Sequence, residues 1–284
     1  MAQIIKSVYR KLQQFNFSLS SRRKLFTRDQ ISSVVRLNRE TLSKVKQWIT
    51  DDAYENSLFN YGLPRYVRNL VDKEIGDEVC YTDVILYLSR SLKERVNYLE
   101  LGVSVGKNFF QVMNFLEDST IIGFDIEEIN PTLESLLAGR RRVVEWSTMP
   151  NSIKKAKSSL TEYTYKPNHN RVRYLCGDIW DENSWERLYG EKFNLIFSDA
   201  LHNPDALLFE FEMIKKYELL SENEFVVVWD DLGGEMTMSF MRIWAELKRK
   251  YDLNSANRVI NQYRGWLGVN EPKHTIGIMR KIRN

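Results

Sequence analysis

The sequence is poor in cysteine: only Cys80 and Cys176 occur among 284 residues. Two thiols so far apart, each inside a periodic apolar segment, exclude a disulfide framework and a cysteine metal centre. They read as small buried hydrophobes, and a reducing, cytoplasmic location is the expectation. Long hydrophobic runs are missing too. No apolar stretch approaches the ~18 residues of a membrane span, and the first residues lack the apolar core and small-residue cleavage site of a secretory signal. Internal repeats and low-complexity tracts are absent. What is there, 43% hydrophobic and 28% charged residues, is an ordinary globular composition. The length suits one large domain with an appendage.

The net charge is only +3, but it is unevenly spread. Residues 1–50 hold eleven Lys or Arg against two acids, Asp29 and Glu40, so the remainder is net acidic. Such a basic, helix-forming segment offers contacts to a membrane surface, a nucleic acid or an acidic substrate; a plain solvated face is the alternative.

Periodicity divides the chain near residue 92. Before it, the pattern is helical: Ile4, Ile5, Val8, Tyr9 and Leu12 share a face, Asp29 is placed to cap a helix over 29–49, and another runs over 82–92. Gly62-Leu63-Pro64 and Gly76-Asp77 punctuate this part. From residue 93 strands and helices alternate. Strands are expected at 96–101, 120–126, 172–176, 193–198 and 225–229, with helices at 108–116, 204–220 and 235–250 between them. Residues 127–170 form a long insertion. Segments 259–268 and 274–279, joined through Asn270-Glu271-Pro272, read as a closing hairpin. Strict alternation implies a doubly wound, mostly parallel α/β sheet covered on both faces, seven-stranded and Rossmann-like, with an antiparallel C-terminal strand. Ligands of such sheets bind outside the carboxyl ends of the strands.

The polar motifs fall at those ends. Glu100-Leu101-Gly102-Val103-Ser104-Val105-Gly106 follows a strand and opens a helix. Gly102 permits a tight turn, Gly106 a close approach, and the helix N-terminus attracts an anion. Asp125, closing the second strand, suits two ribose hydroxyls, and Asp178, after the third, an adenine amine. Pyrophosphate of a dinucleotide or the carboxylate of S-adenosylmethionine fits this loop equally well. The loop and what surrounds it resemble the class I S-adenosylmethionine-dependent methyltransferases, whose loop is commonly (E/D)-x-G-x-G-x-G, over about residues 96–281. The resemblance implies that Glu100, Gly102, Ser104, Gly106, Asp125 and Asp178 serve the cofactor. Ser104 replaces the middle glycine, so its backbone is expected to avoid positive φ.

Asp199 closes the fourth strand and Asp230-Asp231 the fifth. Three carboxylates converging there would repel one another unless neutralised, and a hard divalent cation, Mg²⁺ or Ca²⁺, is the natural counter-charge. This pattern is similar to the metal-dependent O-methyltransferases of the catechol and macrocin type. That likeness implies Asp199, Asp230 and Asp231 as metal ligands and His202 as the base that takes a substrate hydroxyl proton, beside Asp199. Ala200 stands where the macrocin-type pattern has Gly, its Tyr is absent, and Glu222-Asn223-Glu224 replaces Pro-Gly-Gly. A solvated turn or helix cap competes for Asp230-Asp231, and a structural hydrogen bond for His202. His169 and His274 have no partners legible in the sequence.

Trp180, Trp185 and Trp229 lie near strand ends and can stack on adenine or pack in the core. Arg140-Arg141-Arg142 reads as a solvated run before it reads as a phosphate grip. The reading that results is metal-dependent O-methylation of a small hydroxylated molecule, with residues 1–92 as a lid that also offers a dimer interface. Two others stand beside it: a nucleic-acid methyltransferase using the basic segment, although no nucleic-acid module is recognisable, and a non-catalytic protein that keeps the fold.

Overall fold

The computed structural model describes residues 25–48, 76–147, 157–265 and 273–283. The helix expected around Ile4–Leu12, the Gly62-Leu63-Pro64 break and the Asn270-Glu271-Pro272 turn lie outside these residues, as does most of the basic segment.

Among the described residues, two helices precede the sheet, α1 (Arg28–Trp48) and α2 (Tyr81–Ser89). Asp29 does not cap α1. Thr27 does so, its hydroxyl accepting from the Gln30 amide at 3.3 Å while the Gln30 side chain accepts from the Thr27 amide at 2.7 Å. Asp29 sits in the first turn, where its charge favours the helix dipole. The two helices are clamped by a buried ion pair. Arg39 donates to both Asp83 oxygens, at 3.0 and 2.8 Å, and to the carbonyls of Gly76 and Glu78. Asp83 also accepts from the Cys80 amide and thiol, so Cys80 is more than a small hydrophobe. Arg39 is therefore no part of a solvated basic face.

Beyond them run β1 (Asn97–Leu101), α3 (Lys107–Phe115), β2 (Thr120–Asp125), a short α4 (Pro131–Ser135), β3 (Ala138–Trp146), β4 (Ser158–Tyr165), β5 (Asn170–Cys176) and a short α5 (Glu182–Glu186). The chain continues through β6 (Leu195–Ser198), α6 (Pro204–Lys216), β7 (Phe225–Trp229), α7 (Glu235–Tyr251), β8 (Arg258–Arg264) and β9 (Lys273–Lys281). These strands form one sheet in the order β3-β4-β5-β2-β1-β6-β7-β9-β8. From β5 to β8 it is the expected seven-stranded sheet: β5, β2, β1, β6 and β7 pair in parallel, and β9 runs antiparallel between β7 and β8.

The expected strand number is corrected from seven to nine. The insertion 127–170 folds as an antiparallel pair, β3 on β4 and β4 on β5, that widens the sheet at one edge. The arginine run lies on this outer strand. Arg140 pairs with Glu134, Arg141 with Glu162, and Arg142 with Glu145 and Glu128, all at the surface.

Alternate residues of the central strands feed two cores. Tyr98 of β1 and Val226 and Val228 of β7 face one side, with α1, α2 and α3. Leu99, Leu101, Phe225, Val227 and Trp229 face the other, with α5, α6 and α7. A parallel sheet covered on both sides needs this double apolar face. It leaves the chain's polar groups only the strand ends.

Candidate active site

Register aligns the carboxyl ends of five strands along one rim. Leu101 pairs with Phe124 and with Ser198, Asp125 with Cys176, and Ser198 with Trp229. The next residues along the chain, Gly102, Ile126, Gly177, Asp199 and Asp230, therefore line up beside one another. The chain winds away from β1 in opposite directions through β2 and β6, and a crevice opens where it does so.

The loop after β1 explains its glycines. Gly102 has φ +82°, and a Cβ there would stand 2.4 Å from the Asp199 carbonyl oxygen and 2.5 Å from the Ala200 Cα. The loop after β6 thus crosses directly over Gly102. Gly106, φ +85°, is the N-cap of α3. Ser104 corrects an expectation: its φ is +53°, in the left-handed region. The bend is held by Asp125, whose Oδ2 accepts from the Ser104 amide at 2.7 Å and whose Oδ1 accepts from the Glu127 amide at 2.9 Å. A side-chain acceptor replaces the conformational freedom that glycine would have supplied.

A cavity of about 150 Å³ lies beside this loop, lined by Gly102, Phe124, Asp125, Ile126, Asp178, Ile179, Trp180, Ala200 and Leu201. Gly102, Asp125 and Asp178 thus meet in one place. Asp178 is buried and accepts from the Trp180 amide at 2.9 Å. Of the three tryptophans weighed, Trp180 alone lines the cavity, packed on Phe209 at 5.1 Å between ring centroids. Trp185 is a core residue donating to the Ile179 carbonyl, and Trp229 packs edge-on against Phe240. Glu100 lies beneath the loop, where its Oε2 accepts from the Tyr98 hydroxyl at 2.6 Å and from Asn108 at 2.8 Å. Burial pushes its carboxyl up to about 8 despite those bonds.

The second half of the rim is a ring of charges. Asp230 and Asp231 follow β7, and neither caps α7, whose N-cap is Gly234. Asp231 takes a left-handed φ of +48°. His202 Nε2 lies 2.9 Å from Asp199 Oδ1, and its Nδ1 lies 3.3 Å from Asp231 Oδ2. His274 Nδ1 lies 2.8 Å from Asp230 Oδ2 and 3.3 Å from Asp231 Oδ1. Two imidazoles are thus laced between three carboxylates.

The electrostatics follow. The hydrogen bond to Asp199 raises His202 to about 9. Burial would lower His274, but its bonds to Asp230 and Asp231 outweigh that and raise it to about 10. Burial and the Asp230 charge raise Asp199 to about 6, whereas the bond to His274 holds Asp231 below the usual carboxylate range.

Among the described residues, the group whose ligand atoms converge is Asp230, Asp231 and His274, all within 4.8 Å of one another. Asp199 is turned toward His202 instead. His274, which offered no partner in the sequence, is the residue that reasoning missed. The signal was present: an antiparallel last strand beside β7 must begin at the rim, and Gly277 pairs with Trp229 three residues after His274. Tyr81 of α2 was missed as well, and nothing in the sequence marks it. Its buried ring stacks on Phe197 at 5.6 Å and lies 5.3 Å from the His274 ring.

No family model matches the chain, and no curated protein does. Solved structures similar to it include methyltransferases. One is a putative O-methyltransferase from Klebsiella pneumoniae, 13% identical, covering 92% of each chain at a TM-score of 0.43. Another is the O-methyltransferase TomG from Streptomyces achromogenes, solved with S-adenosylmethionine. It is 15% identical and covers 84% of this chain and 89% of its own, at a TM-score of 0.42. An rRNA methylase from Streptococcus thermophilus is 12% identical over 71% of this chain and 94% of its own, at 0.39. What each acts on is a property of that protein. The chemistry of this chain is carried by its own side chains.

Proposed function

We propose that the protein is an S-adenosylmethionine-dependent methyltransferase that methylates a hydroxyl of a small molecule with the help of a divalent cation. The observation that carries this reading is the meeting, at one rim, of the Gly102 loop with its cavity and the Asp199, Asp230, Asp231 ring.

The cavity has the parts a nucleoside needs. Asp125 and Asp178 present carboxylates, Trp180 and Ile179 an apolar wall, and the N-terminus of α3 a partial positive charge toward a carboxylate. Glu100, held by Tyr98 and Asn108, braces the loop from below. Ser104 serves the cofactor through the backbone it bends. On the far side, carboxylate oxygens and imidazole nitrogens form a donor set that fits a divalent cation. Such an ion supplies Lewis acidity, lowering the pKa of a coordinated hydroxyl.

The protein's own groups do the rest. Asp199 orients His202 through the 2.9 Å contact. His202 stands half-exposed at the rim, where an acceptor hydroxyl can deliver its proton to the imidazole. A cation beside Asp230 and Asp231 would offset the part of the negative charge on His202 that comes from those two carboxylates, favouring the neutral imidazole that accepts the proton, while Asp199 keeps its bond to the ring.

Calorimetric titration with S-adenosylmethionine, with and without divalent metal, on wild type and Asp230→Ala, tests the reading. Binding by the wild type is expected, with metal-dependent turnover lost in the variant. Absence of heat under every condition would remove the methyl-donor assignment. Cofactor binding with turnover indifferent to metal would keep the fold reading and remove the cation.

A further inference from the structure

Asp230, Asp231 and His274 have the spacing of ligands on one ion. Two donors each ~2.1 Å from an ion and at right angles stand ~3.0 Å apart. His274 Nδ1 is 2.8 Å from one carboxylate oxygen and 3.3 Å from the other. The imidazole is also fixed in direction, because it belongs to β9 and packs against the Tyr81 ring.

A second observation points into the same place. Tyr81 is 5% exposed, and no described residue gives its hydroxyl a hydrogen bond. Its ring stacks on Phe197 of β6, the strand that Asp199 closes, and lies 5.3 Å from the His274 ring, so it stands against the acidic ring. A water or acceptor oxygen bound to an ion at Asp230 would satisfy that hydroxyl.

A donor set of two carboxylates and one imidazole is not what Mg²⁺ or Ca²⁺ selects. Those hard ions take oxygen ligands, and Mg²⁺ keeps several waters. Imidazole nitrogen suits first-row transition ions.

Resting on the cation reading above, we propose that His274 is a metal ligand, with Asp230 and Asp231, and that the site takes a first-row transition dication such as Mn²⁺ or Zn²⁺ in preference to Mg²⁺.

The test uses metal-stripped full chain and three ions, Mn²⁺, Zn²⁺ and Mg²⁺, titrated by calorimetry. Electron-spin-echo spectroscopy of the Mn²⁺ complex then reports directly on nitrogen bound to the ion. Wild type and His202→Ala should both show nitrogen modulation. His274→Ala should lose it and lose Mn²⁺ and Zn²⁺ affinity by on the order of 10- to 100-fold, while weak Mg²⁺ binding is unchanged. Nitrogen modulation absent from the wild type, or lost in His202→Ala and kept in His274→Ala, would overturn the assignment even if metal binds. No binding of any ion to the wild type would instead defeat the cation reading on which it rests. The wild-type spectrum decides the matter if His274→Ala does not fold.

Discussion

Asp230 and His274 meet at 2.8 Å although 44 residues separate them in the chain. The carboxylate follows β7 and the imidazole opens β9, and antiparallel pairing of these strands brings an end to a beginning. The pair ties the last strand of the fold to the floor of the site. Substitutions that loosen β9 should therefore reach the chemistry.

The buried carboxyls give a pH dependence with a definite sign. Burial raises Glu100 from 4.5 to about 8 and Glu210 from 4.5 to about 7. The folded protein binds more protons than the unfolded chain across those windows, so their contribution declines as pH rises from about 4.5 to 8. In metal-free protein His202 and His274, raised from 6.5 to about 9 and 10, add stability below 6.5 that is lost as pH climbs through those values. The thermal midpoint of the metal-free protein is expected to fall steadily between pH 5 and pH 10. A midpoint that rises over that range would contradict these assignments.

Gly102→Ala should be poorly tolerated. The added Cβ meets backbone, the Asp199 carbonyl at 2.4 Å, and the residue must hold φ +82°. The cost should exceed ~1 kcal/mol in urea unfolding, with S-adenosylmethionine binding lost in calorimetry. Gly233→Ala is the control, since nothing lies within 4 Å of a Cβ there.

Arg39→Leu leaves Asp83 buried without its guanidinium, whose shortest contact to the carboxylate is 2.8 Å. Removing one partner of a buried pair costs about 3–5 kcal/mol, because the remaining charge is stranded. Denaturant unfolding should show a loss of this size. An effect below 1 kcal/mol would mean that Asn38 and the Cys80 amide suffice for Asp83.

Asp125→Ala removes the acceptor of two backbone amides, at 2.7 and 2.9 Å. Leaving them unmet should cost about 1–3 kcal/mol. It should weaken S-adenosylmethionine binding at least tenfold, because the Ser104 turn and the cavity wall share this carboxylate. Retained affinity, measured calorimetrically, would place the cofactor elsewhere.

The sequence by itself determined the alternation of strands and helices, and through it the parallel sheet and the rim on which Gly102, Asp125, Asp178, Asp199 and Asp230 stand. Those features are local: strand periodicity, a glycine turn and a terminal acid are written within a few residues of one another. Residues 127–170 hid a pair of strands because their outer member, β3, is largely exposed and lacks the alternation of a half-buried strand. Ser104 was misjudged because the bond that offsets its left-handed backbone comes from Asp125, one strand away. Only the tertiary structure turned Asp199 toward His202 and set His274 and Tyr81 against the carboxylates. Register between β7 and β9, and the docking of α2 on the sheet, are decided by packing between distant segments. No window of sequence contains that information.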